Sequence, residues 1–281
     1  MTEHKVLGII ALKGGVGKTT VTANLGAVLA QTFNKNVLVV DGNFSTPHLG
    51  LSLGLVDPEV TLHNVLNNKA SMFDALHRHS SGFYLIPGSP FPEKVNPLSL
   101  KNKLAEIVDY YDLVLIDSSP SLNEEILATM IASDGLLVVT SPDYPTLAST
   151  IHAVKLAKQR NTPILGLIIN KSRDKSFELS IEDIEKATGV PVISILPDDD
   201  KVLESLSKTT PTVLHSPNRK ISKEYKKLGE LIINEDYRSL TKREKKKLEK
   251  LIFSFKQKLS EFKNSLKMIK GRGPSPKPHH K

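Results

Sequence analysis

Lys13-Gly14-Gly15-Val16-Gly17-Lys18-Thr19-Thr20 is the stretch that decides the fold. An apolar run, Val6–Ala11, precedes it, and a helical pattern over Thr19–Thr32 follows. Glycines at 14, 15 and 17 let backbone N–H groups curl around phosphates, with Val16 and Thr20 completing the cradle. The helix N-terminus adds positive potential, and Lys18 reaches the outer phosphates. Thr19 is placed to give its hydroxyl to Mg²⁺. The usual pattern has glycine at position 12, where this chain has Leu12. A glycine-rich turn without function is the bland alternative. Strand before, Gly-Lys-Thr-Thr, and helix after outweigh it.

Working outward, continuous apolar runs predict strands over Val37–Val40, Phe83–Ile86, Leu113–Ile116, Leu136–Thr140, Ile164–Ile169 and Val192–Leu196. Unbroken apolar character marks strands covered on both faces. Helical patterns fall between them, at Leu100–Tyr110, Glu124–Ala132, Pro145–Arg160, Ile181–Thr188, Lys201–Leu206 and Ser222–Ile232. That rhythm predicts an α/β fold, a doubly wound, mostly parallel β-sheet flanked by helices. Ligands of such sheets bind at the carboxyl ends of the strands.

Two aspartates, Asp41 and Asp117, fall at strand ends, where Mg²⁺ and its waters would lie beside the phosphates. One such carboxylate reads best as a turn cap, but two downstream of a phosphate loop point to the metal side. Asn170 carries an amide with both donor and acceptor, suited to the edge of adenine. His77 and His79 have a spacing poor for a helix-borne metal site and read as surface residues.

The loop resembles the deviant phosphate loop of the MinD/ParA family, in which the position held here by Leu12 varies. That resemblance implies a P-loop ATPase using ATP and Mg²⁺. It also implies that Lys13 reaches across a homodimer, formed with ATP bound, to the nucleotide of the other subunit. Val39-Val40-Asp41-Gly42-Asn43 is similar to the family's second acidic motif, and Tyr111–Pro120 to its strand ending in a Mg²⁺-side aspartate. Ile169-Asn170-Lys171 and Leu196-Pro197-Asp198 resemble its adenine-binding segments. The resemblance therefore implies catalytic roles for Lys13, Lys18 and Asp41, and nucleotide contacts from residues 13–20, Asn170, Pro197 and Asp198. Thr19, Asp41 and Asp117 would serve the metal. One departure stands out: the family has Asp-x-Asp where this chain has Asp41-Gly42-Asn43. Asparagine orients a water but takes no proton from it, so slow hydrolysis is expected.

The 281 residues contain no cysteine, which excludes thiol catalysis and cysteine-held metal and argues against the family's iron–sulfur carriers. No apolar run approaches the ~18–20 residues of a membrane span, and the first ten residues lack a signal-peptide layout, so a cytoplasmic location is expected. The net charge of +8 is unevenly divided. Residues 239–281 hold 14 Lys/Arg against 3 Asp/Glu, leaving 24 basic and 27 acidic groups in the other 238 residues. The expected organisation is an ATPase domain over 1–238, a basic amphipathic helix over 239–270, and a disordered Pro/Gly/Lys-rich tail over 271–281.

Thr241, with Glu244 three residues on, has the spacing expected of a capping box for that helix. On a helical wheel Leu248, Leu251, Ile252, Phe255, Leu259, Phe262, Leu266 and Ile269 share one arc, flanked by Lys256, Lys258, Lys263 and Lys270. An anionic membrane surface explains both the stripe and the charge. A partner helix, the protein's own body and nucleic acid each explain less. The reading is a MinD-type spatial regulator that dimerises with ATP and binds the membrane peripherally through residues 241–270, under an unidentified regulatory protein. A DNA-partitioning ATPase is disfavoured by the acidic body. A weakly hydrolysing nucleotide-gated scaffold fits Asn43.

Overall fold

Strand β1 (Val6–Ile10) runs through the middle of the sheet, paired in parallel with β5 (Leu113–Ser118) on one side and β6 (Gly135–Thr140) on the other. All five residues of β1 are buried, as an unbroken VLGII run requires. The computed structural model describes residues 5–234. The helix expected over 239–270 and the tail over 271–281 lie outside the described residues.

The remaining strands are β2 (Val37–Gly42), β3 (His77–Arg78), β4 (Tyr84–Ile86), β7 (Ile164–Ser172) and β8 (Val192–Pro197). The order β3-β4-β2-β5-β1-β6-β7-β8 is parallel throughout except for the antiparallel β3–β4 pair. Among the described residues ten helices connect or flank them: α1 (Lys18–Gln31), α2 (Leu49–Ser52), α3 (Leu62–Leu66), α4 (Leu100–Leu104), α5 (Glu124–Ala132), α6 (Tyr144–Gln159), α7 (Ile181–Thr188), α8 (Asp200–Ser207), α9 (Thr212–His215) and α10 (Lys220–Ile233). The doubly wound reading holds.

Apolar burial rather than propensity fixes the layers. On one side Leu38, Val40, Val114 and Ile116 pack with Leu62, Leu100, Leu104 and Ile107, all at most 2 % exposed. Toward the other edge Ile10, Leu136, Val138 and Leu167 pack with Val154, Ala157 and Ile184. Each large aliphatic side chain so buried contributes ~1.5–3 kcal/mol. Helix α1 is buried nearly all round from Val21 to Leu29, Thr22 and Asn24 included, because it is sandwiched between the sheet and α10. Glycines permit the sandwich. A Cβ on Gly26 would come within 2.9 Å of Val39, and one on Gly229 of α10 within 2.7 Å of Val28.

Several local expectations are corrected. The helix predicted over Leu100–Tyr110 is α4 plus a 3₁₀ turn at Val108–Tyr110, because the chain must turn there to deliver Asp112, whose N–H donates to Asn36 O at 2.8 Å. The strand predicted from Phe83 begins at Tyr84; Phe83 is instead fully buried and stacks on His79, with centroids 5.1 Å apart. His77 and His79 are not free surface residues. Their rings are half-buried and bond the carbonyls of Val60 (3.2 Å) and Leu53 (2.9 Å). The short α2, α3 and α9 carry too few residues for periodicity to reveal them.

Candidate nucleotide site

The loop of residues 13–17 leaves β1 at the carboxyl edge and enters α1 through Gly17, whose φ of +94° puts it in the left-handed region that favours glycine. Gly15 has φ +78°, and a Cβ on Gly14 or Gly15 would meet nothing within 4 Å, so the cradle is open on that side. No side chain caps α1, which leaves its first-turn N–H groups for an anion. Lys18 is only 7 % exposed. Burial lowers its pKa, and the nearby charge of Asp117 acts in the opposite sense.

Asp41 and Asp117 are direct register partners on β2 and β5. Asp117 Oδ2 accepts from Thr19 Oγ1 at 2.6 Å, and its Oδ1 accepts from Thr22 Oγ1 at 3.3 Å. Burial pushes the Asp117 carboxyl up to about 6, against the hydrogen bond from Thr19 and the charge of Lys18. Asp41 is fully buried, and burial with the Asp117 charge beside it raises its pKa to about 8. Backbone N–H groups of Asn43 (3.2 Å), Leu49 (3.0 Å) and Gly88 donate to the Asp41 carboxylate. Its oxygens thus pin the 43–49 loop. Asn43 turns inward, donating from Nδ2 to Thr46 O and accepting from Thr46 Oγ1 at 3.3 Å.

The structure brings the expected adenine-side residues to the same edge, with distinct contacts. Asn170 lies within β7, and its Nδ2 donates to Val16 O at 2.8 Å; its Oδ1 remains for a ligand donor. Lys171, at φ +59°, donates to Gly15 O at 2.8 Å. Pro197 ends β8 opposite Ser172, and the Asp198 N–H donates to Ser172 O at 2.8 Å. The Asp198 carboxylate is engaged by Arg173 Nε at 2.8 Å.

Lys13 does not hang free. Its Nζ donates to Asp143 Oδ1 at 3.1 Å and to Thr146 Oγ1 at 2.6 Å. Asp143 caps α6 by accepting from Thr146 N at 2.9 Å. Partial burial raises the pKa of Asp143, but hydrogen bonds from Ser141, Thr146 and Lys13 outweigh it and take the carboxyl down to about 2. Sequence reasoning missed Asp143 and Thr146, and quoted Lys171 only as part of an adenine-side segment, not as a partner of the phosphate loop. Asp143-Tyr144-Pro145 carries a helix-start signature that locates the first, though not its partner.

The donor set fits a nucleotide with a hard divalent cation. Among the described residues no group of three or more His, Asp or Glu side chains has metal-holding geometry. A Mg²⁺ here would use the Thr19 hydroxyl, the Asp117 carboxylate, phosphate oxygens and water.

Comparison with known proteins agrees with this geometry. An uncharacterised ATP-binding protein of Methanocaldococcus jannaschii is 32 % identical over 242 residues, covering 85 % of this chain and 91 % of that protein. The septum site-determining protein MinD of Thermotoga maritima is 29 % identical over 241 residues, covering 82 % and 88 %. Among solved structures, the Pyrococcus furiosus cell division ATPase MinD matches with TM-score 0.77 at 31 % identity, covering 82 % of this chain and 98 % of that one. MinD of Pyrococcus horikoshii, complexed with Mg-ADP, matches with TM-score 0.76 at 29 % identity, covering 81 % and 95 %. Residues 7–213 match the CobQ/CobB/MinD/ParA nucleotide binding domain, a span running from β1 through the phosphate loop, both aspartates and Asn170 to α9, and the chain belongs to that family.

Proposed function

We propose that the protein is a Mg-ATP-dependent ATPase of MinD type, which dimerises around bound nucleotide and acts as a spatial regulator at an anionic membrane surface. Lys18, Thr19 and the loop amides hold the phosphates; Asp117 and Asp41 organise the metal side; Asn170, Pro197 and Asp198 border the base.

The observation that carries the reading is the second lysine. Lys13 stands at the mouth of the loop with its ammonium partly exposed, held on the rim by Asp143 and Thr146 rather than turned into its own cradle. A lysine there is surplus to one phosphate loop and suits the triphosphate of a second copy. The rim also exposes Leu122, Tyr144 and Phe177, each following the carboxyl end of a strand, as an associating face would.

Membrane attachment rests on the sequence of 241–270. A basic residue near an anionic surface contributes ~1 kcal/mol, and the apolar arc adds burial. A single helix of this kind binds reversibly, and joining two raises avidity by roughly 10²–10⁴. Nucleotide-driven dimerisation would therefore recruit the protein, and hydrolysis would release it. The test is sedimentation with phosphatidylglycerol-containing vesicles. Pelleting should require ATP, weaken with salt, and be lost on deleting 241–281 or in Phe255→Glu/Phe262→Glu, while ATP binding persists. Vesicles ignored by the ATP-bound protein would refute the membrane reading.

A nucleotide-gated scaffold with little turnover is the second reading, favoured by the inward-turned Asn43. Turnover measured with and without a partner separates the two.

A further inference from the structure

Glu125 is the second residue of α5, only 6 % exposed, and its Oε2 is buried with no hydrogen-bond partner. The first turn of a helix favours a carboxylate, but such a residue gains that benefit at the surface. Here the side chain is turned inward, and its other oxygen, Oε1, accepts from Ser45 Oγ. Ser45 is two residues beyond Asn43, on the loop that Asp41 pins through the N–H groups of Asn43 and Leu49. A buried carboxylate oxygen left without a partner is expensive to keep, and groups of that kind mark places where a ligand or reacting atom is expected.

Its place in the fold is set by Thr129, one turn further along α5. A Cβ on Gly42 would come within 3.1 Å of Thr129 Oγ1 and 3.0 Å of Asp117 O. Glu125, four residues nearer the helix start, therefore stands about 6 Å beyond that contact, level with residues 43–45 at the carboxyl edge. That is the edge where Asp41 and Asp117 end and where Thr19 meets Asp117. The chain thus carries no carboxylate at 43 and holds one, from a different element, beside the same loop.

Resting on the ATPase reading above, we propose that Glu125 supplies the carboxylate for the attacking water that Asn43 does not. The water oxygen bonds to the γ-phosphorus, and the bond to the ADP oxygen breaks with its electron pair. The water's proton passes to Glu125 Oε2, while Ser45 holds Oε1. From there it passes to an oxygen of the departing phosphate, so that ATP and water yield ADP and hydrogen phosphate. Asn43 keeps its oxygen and amide in the loop and needs no proton-accepting role.

The experiment compares wild type, Glu125→Gln and Glu125→Gln/Asn43→Asp in full-length protein. Steady-state ATP turnover should fall by roughly 10²–10⁴-fold in E125Q, the range that general bases supply. ADP affinity by calorimetry should stay within twofold, and the nucleotide-free E125Q should melt at or above the wild-type temperature. Asn43→Asp in the E125Q background should recover at least tenfold of the lost turnover. Wild-type hydrolysis with E125Q turnover within twofold overturns the inference and leaves the ATPase reading standing. So does an E125Q that melts well below wild type and is not rescued by Asn43→Asp, which marks the residue as a strut. Wild type that binds ATP without turning it over overturns the ATPase reading, and this inference with it.

Discussion

Asn170 and Gly17 confront each other across the phosphate loop: a Cβ on Gly17 would lie 2.3 Å from Asn170 Nδ2, which donates to Val16 O at 2.8 Å. The loop and β7 are thereby joined, and the absence of a side chain at 17 is what allows them to come so close.

Gly17→Ala should therefore reduce nucleotide affinity at least tenfold, about 1.4 kcal/mol, since it adds a left-handed backbone cost of ~1–2 kcal/mol to the clash. Asn170→Ala removes a buried hydrogen bond and should lower unfolding stability by ~1–3 kcal/mol as well as weaken binding. Calorimetry and urea unfolding measure the two effects separately. Unchanged affinity in Gly17→Ala would refute the loop's role.

Lys18→Ala should abolish Mg-ATP binding while leaving the nucleotide-free protein as stable as wild type, or more so. Burial disfavours the charged amine, as its lowered pKa records, so the truncation relieves a cost that only a bound phosphate offsets. Thermal melting and calorimetry on the same preparation give both halves of the result.

The Lys13–Asp143 pair should act as a mild restraint on self-association. Both partners are about two-fifths exposed, so the pair stabilises its position by at most ~1 kcal/mol, or roughly fivefold in an equilibrium. Asp143→Asn keeps the helix cap and removes the charge; light scattering should show the ATP-bound dimer at up to about fivefold lower protein concentration. Lys13→Ala should bind ATP and remain monomeric.

His63 makes the loop sensitive to acid. It is 2 % exposed, its Nδ1 accepts from Ser89 N–H at 3.0 Å, and its Nε2 therefore donates to Phe44 O at 2.9 Å. Burial lowers its pKa below the ordinary 6.5, against the charges of Glu125 and Glu93. A depressed histidine pKa contributes stability that is present above 6.5 and is lost as pH falls toward the lowered value, at no more than ~1.4 kcal/mol per pH unit. Melting temperature should drop in that window, and His63→Gln should melt lower overall but with a shallower pH slope.

The placement of the candidate site's residues was more legible in the sequence than their wiring. Lys18, Thr19, Asp41 and Asp117 were readable because the loop pattern and the ends of apolar strands fix where those side chains must lie. That Asp41 would spend its oxygens on Asn43, Leu49 and Gly88, or that Lys13 would be tied to a residue 130 positions away, depends on loop paths that no periodicity encodes. Glu125 was invisible for a related reason. In sequence it is one of two adjacent glutamates after Asn123, and only the packing of α5 against β2 shows which one turns inward.

The two borders of the sheet carry a further implication for assembly. β3 is only two residues long and antiparallel, while β8 ends in proline and breaks register with β7 twice. Short, irregular and proline-stopped margins are poor templates for another strand, so growth by lateral hydrogen bonding into fibres or continuous sheets is disfavoured. Among the described residues that leaves the loop-bearing end of the sheet as the face for the pairing proposed above, where association would be reversed by what the loops hold rather than locked in by backbone ladders.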